Sequence, residues 1–218
     1  MAPRALYDEE LKGVSDRLVL MCRYIETAIE NCVEALVNRD YDLAKEVSRE
    51  DKYINRVERE IEASCLKLLI MEHPVASDFR EITTALKMIT DLERIGDQAK
   101  DIAEITMQLS GKDYFKKVPN IPQMSTLAIQ MIKDGIQAYI NHDLELARSL
   151  AIADDKIDEL FNAVMDDLIA LIRKNPKAAE QAILFMMIAK YLERIGDHAV
   201  NIGEWVEYAI TGAHPKSV

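Results

Sequence analysis

Apolar residues recur along most of the chain at alternating steps of three and four positions. The first such stretch begins at Leu11 and continues through Val14, Leu18 and Met21. This spacing places the apolar side chains on one face of an α-helix, because one turn contains 3.6 residues. The pattern predicts a long bundle helix that ends near Asn38, where the periodicity is interrupted.

Five more stretches with the same periodicity follow, each bounded by residues that begin or end helices. They predict helices at roughly 40–72, 77–109, 123–141, 143–173 and 177–212. His73-Pro74 and Asn175-Pro176 mark the ends of the second and fifth, because proline disfavours the helical conformation in the residue before it. Ser77-Asp78 is a predicted N-cap for the third helix. The chain is therefore predicted to be all-α.

Two segments of the chain repeat each other about 100 residues apart. The hexapeptide LERIGD occurs at 92–97 and again at 192–197. Chance would produce such a match about once in several thousand chains of this size, so we infer an internal duplication. Each half would contain three of the six helices. The predicted architecture is two tandem antiparallel three-helix bundles.

The boundary between the two repeats is predicted from a break in the periodicity. The stretch 110–122 contains one glycine, two prolines and three lysines and has no helical pattern, which is typical of a linker. The predicted organisation is a first repeat at 1–112, a linker at 113–122 and a second repeat at 123–218.

Composition narrows the classes of partner and the compartment. With 38 Asp and Glu against 27 Lys and Arg, the chain has a net charge of −11. This argues against a general binder of nucleic acid or anionic membrane, and favours a cation or a basic protein surface. The N-terminal residues contain no apolar core of signal-peptide length, and the longest uninterrupted apolar stretch, at 182–189, is far shorter than the roughly 18 residues of a membrane span. Three cysteines without CxxC spacing predict buried free thiols, as expected in a reducing cytoplasm.

Acidic and amide residues recur four positions apart beside the apolar faces of four predicted helices. A step of four residues turns a net 40° or so and rises about 6 Å, so such residues share one edge of a helix. The candidate metal ligands are Asp51, Asn55, Glu93, Asp97 and Asp101 in the first repeat and Asp154, Asp158, Glu193, Asp197 and Asn201 in the second. Like charges at this spacing destabilise a helix, so something should compensate them.

Two kinds of compensation are open. Arg94 and Arg194 lie beside the acids and could form ion pairs with them. Alternatively, carboxylate and amide oxygens are hard ligands for iron, manganese, magnesium, calcium or, less selectively, zinc. The recurrence of the pattern on two helices of each repeat favours metal. The sequence contains no Glu-x-x-His motif, which disfavours the oxygen chemistry of di-iron bundles.

Three residues near the acids have less specific roles. His198 follows Asp197 directly and is therefore turned about 100° away, which predicts a place outside the ligand set. Gly96 and Gly196 lie within predicted helices, where the absence of a side chain would let a neighbouring helix or a ligand come close.

The doubled LERIGD, continued as DQAKDIAE and DHAVNIGE, resembles the PhoU family over essentially the whole chain. The resemblance implies multinuclear iron or zinc clusters on the ten residues named above, with manganese, magnesium and calcium still open. It also implies a cytoplasmic protein, often a homodimer, that meets the inner membrane only through a transporter. Its implied role is to restrain the phosphate ABC transporter, through the transporter's ATPase, and the phosphate-sensing histidine kinase that activates starvation genes. Because Asn55 and Asn201 replace carboxylates of the motif, the two sites are expected to differ in metal affinity or in the number of metal ions that they hold.

Two other functions remain open. A carboxylate-bridged multinuclear metalloenzyme, hydrolytic or redox, would need an open coordination position with an acid or base beside it, and no such group is evident. No nucleophile motif or phosphate-binding loop is present either, so no enzymatic activity is predicted. A metal-free structural scaffold would have a stability that is indifferent to chelators.

Overall fold

The structure, a computed structural model, describes residues 3–71, 76–111, 113–114 and 120–213. Within those ranges the chain forms helices and no strands. The six α-helices are α1 (Pro3–Asn38), α2 (Tyr41–Met71), α3 (Ala76–Gln108), α4 (Asn120–Asn141), α5 (Leu144–Lys174) and α6 (Ala179–Thr211). A short 3-10 helix, Pro176–Ala178, leads into α6. The all-α prediction and the number of helices are confirmed.

Two helices begin earlier than the sequence predicted. α1 begins at Pro3, not near Leu11, because Tyr7 extends the apolar stripe by one turn and is only 2% exposed. α4 begins at Asn120, so the last three residues of the predicted linker 113–122 are helical. Pro122 is compatible with this position, since the first four backbone N–H groups of a helix have no intrahelical partner.

The starts of α3 and α6 also differ from prediction. α3 begins at Ala76, which places Ser77 inside the first turn and makes the predicted cap wrong. α6 begins at Ala179, not 177, because the preceding residues form the 3-10 turn that starts at Pro176. The predicted helix end at His73-Pro74 lies outside the described residues.

The loops that follow α1 and α4 preserve the duplication in detail. Arg39 and His142, 103 residues apart, both have positive φ angles, 57° and 51°. In each loop the next residue is an aspartate whose Oδ1 accepts a hydrogen bond from a backbone N–H three positions on, at 3.0 Å. These aspartates cap the second helix of each repeat, as expected for a side-chain acceptor at an N-cap.

The two repeats meet through α3 and α6, which lie side by side in the middle of the molecule. They run antiparallel, since Arg80 Nε donates to the carbonyl of Ala209 and Thr84 Oγ1 to that of Trp205, both at 3.3 Å. α2 packs on α3 and α5 packs on α6, while α1 and α4 cover their own repeats and touch each other. One hydrophobic core runs through both bundles.

The three cysteines, Cys22, Cys32 and Cys65, are buried and free, as predicted. Burial raises the pKa of the Cys22 thiol to about 11 and that of Cys65 to about 12. Among the described helices, none combines the length and apolar character that a membrane span requires.

Candidate metal centre

In the second repeat, α5 and α6 bring four carboxylates together: Asp154, Asp158, Glu193 and Asp197. Burial is the main cause that raises the pKa of Asp154 to about 6, followed by the negative charges of the other three. Asp154 Oδ1 is buried and has no hydrogen-bond partner. The second repeat therefore holds an acidic cluster with an unsatisfied oxygen at its inner edge.

Gly196 explains how α5 comes so close to α6 at this point. A Cβ atom built on Gly196 would lie 2.4 Å from Asp154 Oδ1 and 3.1 Å from Ile157 Cδ1. Any side chain there would displace Asp154 from its place beside the other acids. The equivalent Gly96 is crowded by Ile54, whose Cδ1 would be 3.0 Å from such a Cβ. Both glycines serve helix packing, and Gly196 also makes room for a carboxylate.

In the first repeat the equivalent cluster is formed by α2 and α3. Asn55 Nδ2 donates to Asp51 Oδ2 at 2.9 Å, and Lys100 Nζ lies 3.6 Å from the same oxygen. Asp51 is only 8% exposed. The other oxygens of this pair, Asp51 Oδ1 and Asn55 Oδ1, are buried and without a hydrogen-bond partner. Two buried oxygens, one on each residue of this hydrogen-bonded pair, thus remain available to a ligand.

Glu58 belongs to this cluster, although the sequence did not single it out. Burial and the charge of Asp97 raise the pKa of Glu93, and Glu58 and Asp51 add to the rise. Glu58 is seven residues after Asp51, which places it on the same face of α2 two turns later. That spacing was a usable signal, but the second repeat has Phe161 at the matching position.

Basic side chains neutralise part of each cluster. Arg94 lies 3.7 Å from Glu93 and 3.6 Å from Asp97, but it is 61% exposed, so these pairs contribute little to stability. Lys190 hydrogen-bonds both carboxylate oxygens of Glu193. Ion pairing, one of the two compensations expected from the sequence, is therefore present but leaves Asp154 Oδ1 and Asp51 Oδ1 unmatched.

Asp101 and Asn201, the outermost predicted ligands, are engaged between the repeats. Asn201 Nδ2 donates to Asp91 Oδ1 on α3 at 3.2 Å. Burial and neighbouring acids raise the pKa of Asp101, and a hydrogen bond from Tyr191 on α6 opposes that rise. The contact of Asn201 with Asp91 and that of Asp101 with Tyr191 join equivalent positions, 100 residues apart in each case. The duplication has therefore produced a matched pair of hydrogen bonds across the α3–α6 interface. Both contacts join α3 to α6 across the repeats.

His198 lies in the same interface and pairs with Asp91, an acid that is not one of the ten candidate ligands. Its Nδ1 is 2.8 Å from Asp91 Oδ1, and the side chain is 21% exposed. Asp91 therefore binds two side chains of α6. It is a residue of the inter-repeat contact that sequence reasoning missed, because nothing in the periodicity of α3 shows what α6 places opposite it.

The donor set of both clusters fits a hard cation. Within residues 3–71, 76–111 and 120–213, no three Asp, Glu, His or Cys side chains already enclose a metal position. One oxygen each of Asp51, Asn55 and Asp154 is nevertheless buried and has no hydrogen-bond partner. A bound cation would be such a partner. Oxygen-only ligands suit iron, manganese, magnesium or calcium better than soft metals.

The repeats also match a known family. The family model for the PhoU domain matches residues 18–106 and 121–206, one match for each three-helix unit. This chain belongs to the PhoU family. Both LERIGD segments and all ten candidate ligands lie within the two matched ranges.

Relatives that match over nearly the whole chain support the assignment. The chain is 34% identical to the phosphate-specific transport system accessory protein PhoU homolog of Clostridium acetobutylicum over 96% of both chains. It is 31% identical to the homolog of Pseudomonas aeruginosa over 97% of this chain and 88% of the relative. These names describe accessory proteins, not enzymes, in agreement with the prediction of no enzymatic activity.

Solved PhoU structures share the fold. The crystal structure of PhoU from Pseudomonas aeruginosa matches with a TM-score of 0.89 at 31% identity, covering 95% of this chain and all of that one. The phosphate transport system regulatory protein PhoU from Streptococcus pneumoniae matches with the same TM-score at 26% identity, covering 97% of this chain and all of that one. The two tandem three-helix bundles predicted from the sequence are thus the PhoU architecture.

Proposed function

We propose that this PhoU protein is a metal-binding regulator of phosphate homeostasis, which restrains uptake by the phosphate ABC transporter and starvation signalling by the histidine kinase. A role in regulating phosphate transport is supported by family membership and by the names of the Clostridium acetobutylicum and Streptococcus pneumoniae relatives. Metal binding, the interaction with the kinase and the inhibitory direction of the regulation are proposed in addition.

The observation that carries the metal part is the buried, unpartnered Asp154 Oδ1 beside three other carboxylates. In the second repeat the cation would be held by Asp154, Asp158, Glu193 and Asp197. In the first repeat it would be held by Asp51, Asn55, Glu93 and Asp97, with Glu58 beside them. Iron or zinc is the proposed metal on family resemblance, and the oxygen ligands are equally suited to manganese, magnesium or calcium.

The residues of the clusters link metal occupancy to the shape of each bundle. The bound cation would supply positive charge between two helices whose acids otherwise repel each other. Asp154 comes from α5, and Glu193 and Asp197 come from α6, so their repulsion acts directly on the α5–α6 packing. Occupancy would therefore hold the outer helix firmly against the central one and lower the negative charge that a partner meets.

The proposed partners are the transporter ATPase and the histidine kinase, met in the cytoplasm by a homodimer of this protein. Accessory proteins of this kind act by binding, so no turnover is part of the proposal. A cation at each cluster would tune the surface presented to the partners and would take no part in chemistry.

Elemental analysis of untagged protein, followed by pull-down of the purified ATPase and kinase, tests the proposal. Wild type should retain metal and bind both partners, whereas the double variant Asp154→Asn and Asp197→Asn should lose metal from the second repeat. Glu34→Gln, an exposed acid on α1, is the control and should behave as wild type. Absence of metal from wild type would overturn the metal part. Failure of wild type to bind either partner would overturn the regulatory part.

A further inference from the structure

The outward face of α2 carries a continuous line of eight exposed residues at alternating steps of four and three positions. This outer seam consists of Lys45, Arg49, Lys52, Arg56, Arg59, Ala63, Leu66 and Ile70. The spacing places all of them within an arc of about 100°, over a length of about 37 Å. The seam lies opposite the buried Val47, Ile54 and Ile61, so it points away from the rest of the molecule.

The chemistry of the outer seam changes once along its length. Its first five residues are basic and form the basic half, whereas its last three form the apolar half. In the apolar half, Leu66 is 47% exposed and Ile70 is 84% exposed, more than any other large apolar side chain of the described residues. No acid lies on the seam, although acids outnumber bases by 38 to 27 in the whole chain. The seam therefore differs sharply from the average surface of this protein.

The fold itself does not require this order of residues. α5 has the equivalent place in the second repeat, where it packs on α4 and α6 as α2 packs on α1 and α3. At an offset of 103, the eight equivalent positions hold Arg148, Ile152, Asp155, Glu159, Asn162, Asp166, Ile169 and Arg173. Acidic, basic and apolar residues alternate there without order. The ordered seam of α2 is thus a property beyond helix packing.

The chain leaves the outer seam uncovered. Among the described helices, α2 packs only on α1 and α3. The ion pair that the basic half makes within the described ranges joins Arg56 to Glu60 at 3.7 Å, and both side chains are more than half exposed, so it contributes little. Lys52 and Arg56 also lie over the ring of Tyr53, 5.1 and 5.5 Å from its centroid. These contacts orient the basic side chains without occupying the face of the seam.

We propose that the outer seam binds one amphipathic helix of a partner protein, whose acids face the basic half and whose apolar side chains face the apolar half. The inference rests on the proposed function only in requiring a protein partner. Alternating steps of three and four are the spacing at which two helices stay in contact along their length. A shallow depression of about 400 Å³, which includes both Arg59 and Ala63, offers room for side chains where the two halves meet.

A partner helix fits the outer seam better than an anionic membrane does. A chain with a net charge of −11 is repelled by anionic lipid as a whole. The exposed Glu46 and Glu60 flank the basic half and would face the same lipid. A helix that lies in a membrane surface also needs an apolar face along its length, whereas the apolar part of this seam is confined to its last three positions.

Two synthetic helical peptides of about 28 residues test the surface directly. One carries Glu at the seam spacing in its N-terminal half and Leu in its C-terminal half, and the other has the reverse order, so that both directions of docking are covered. Fluorescence anisotropy should show that one of them binds wild type. A peptide of the same composition, with its acids spread around the helix, should bind at least about tenfold more weakly. Failure of both peptides to bind wild type would overturn the proposal.

Two seam variants locate the binding. Lys45→Glu with Arg49→Glu reverses charge in the basic half away from Asp51 and Asn55, and Leu66→Ser with Ile70→Ser removes the apolar half. Each should weaken peptide binding at least about tenfold. High salt should weaken binding to wild type as well, since it screens exposed charges. Unchanged binding in both variants would place the peptide elsewhere and contradict the proposal.

Matched changes outside the seam serve as controls. Lys12→Glu with Arg23→Glu reverses two exposed charges on α1, and Ile152→Ser with Ile169→Ser removes two exposed apolar side chains from α5. Both proteins should bind the peptide like wild type, and circular dichroism shows that every variant is folded. Equal losses in these controls would mean that binding follows net charge or total apolar surface, against the proposal.

Purified transporter ATPase and kinase separate a failure of this inference from a failure of the proposed function. The bound peptide should displace at least one of them from wild type, and both seam variants should bind that partner at least about tenfold more weakly. Partner binding that neither the peptide nor the variants disturb would overturn the inference and leave the proposed function standing. If neither partner binds wild type while peptide binding depends on the seam, the proposed function falls and the seam remains a site for an acidic helix.

The same variants distinguish the other possible occupants. Wild type is mixed with vesicles of equal parts phosphatidylcholine and phosphatidylglycerol, and its self-association is measured by sedimentation velocity. Neither property should change in the seam variants. Vesicle binding or self-association that both seam variants abolish would assign the seam to lipid or to a second copy, and would overturn the proposal.

Discussion

The acidic clusters of the two repeats occupy equivalent positions but are neutralised differently. In the first repeat, Lys100 lies beside the buried Asp51, and the neutral Asn55 bonds to the same carboxylate. In the second, Val200 replaces that lysine and Asp158 replaces the asparagine. The only cation that the described structure places directly on this cluster, Lys190, binds Glu193 and not Asp154.

This difference shows that two duplicated units can keep the same helix packing while the charges beside their equivalent residues change. The helices, the crowded glycines and the capped loops are shared, because packing requires them in both halves. The counter-charges are not shared, since exchanging a surface-edge lysine for valine leaves the helix pairing intact. The first cluster is therefore partly balanced by the protein's own counter-charges, whereas the buried oxygen of Asp154 in the second cluster has no such balance.

The largest expected effect concerns metal affinity in the second repeat. Asp154→Asn removes the charge of a carboxylate whose buried Oδ1 has no hydrogen-bond partner, so we expect the affinity of that site to fall about 100-fold or more, because charge count dominates cation affinity at oxygen sites. Asp51→Asn should have a smaller effect, since Lys100 already offsets that charge. Isothermal titration of metal into chelator-treated protein measures both. Equal losses in the two variants would contradict the asymmetry.

A large effect on stability is expected at Gly203, where the first repeat has Ala103. A Cβ on Gly203 would lie 2.6 Å from the backbone carbonyl oxygen of Ala147 and 2.9 Å from Leu150 Cδ1. The backbone of α5 would have to move to relieve this contact, and such a shift costs free energy. Gly203→Ala should therefore destabilise the protein by about 2 kcal/mol despite alanine's better helix propensity. Urea unfolding measures this.

The matched change in the first repeat provides the control for Gly203. Ala103→Gly should destabilise by about 1 kcal/mol through propensity alone, in addition to the small loss of a buried methyl group. A Gly203→Ala protein as stable as wild type would show that α5 and α6 can separate at no cost.

Converting the first cluster into the second is expected to have an intermediate effect. Lys100→Val gives Asp51 the surroundings of Asp154, with no cation beside it. The affinity of the first site for metal should rise about tenfold, and the metal-free protein should become less stable by about 1 kcal/mol, because a buried carboxylate loses its counter-charge. Titration and thermal melting in chelator measure the two effects. An unchanged affinity would mean that Lys100 does not govern the site.

The smallest effect is a pH dependence of the metal-free protein. The folded pKa of Asp154 is raised from 3.8 to about 6, so between these values the folded state holds a proton that the unfolded state has released. This contribution to stability is complete below about pH 4 and is lost as the pH rises through about 6. Melting temperatures measured in chelator should fall over this window, and less so in Asp154→Asn.

Two comparisons sharpen the pH prediction. The exposed Glu34→Gln should keep the wild-type profile, because its side chain lies away from both clusters. When metal is added without chelator, the melting temperature should depend less on pH. A cation beside Asp154 favours the ionised carboxylate, so the folded state no longer retains the proton. A profile that rises over the same window would contradict the assignment of Asp154 as the repelled carboxylate.

Much of the fold was predictable because it depends on local periodicity. The three-and-four spacing from Leu11 to Met21 specifies one buried helix face, and the doubled LERIGD specifies two equivalent units. Helix ends were less predictable: α1 begins at Pro3 and buries Tyr7 one turn before Leu11, and α4 begins at Asn120. End positions depend on packing and capping contacts that the periodic pattern does not contain.

The candidate site was predictable only as far as a single helix allows. The sequence by itself determined that acids four residues apart share an edge of α2, α3, α5 or α6, since the helical repeat fixes that angle. Only the tertiary structure decided that Glu58 joins the first cluster, that Lys100 neutralises Asp51, and that Asn201 binds Asp91 across the repeats. The reason is physical: periodicity fixes the direction of a side chain on its own helix, whereas helix packing fixes which residue it meets.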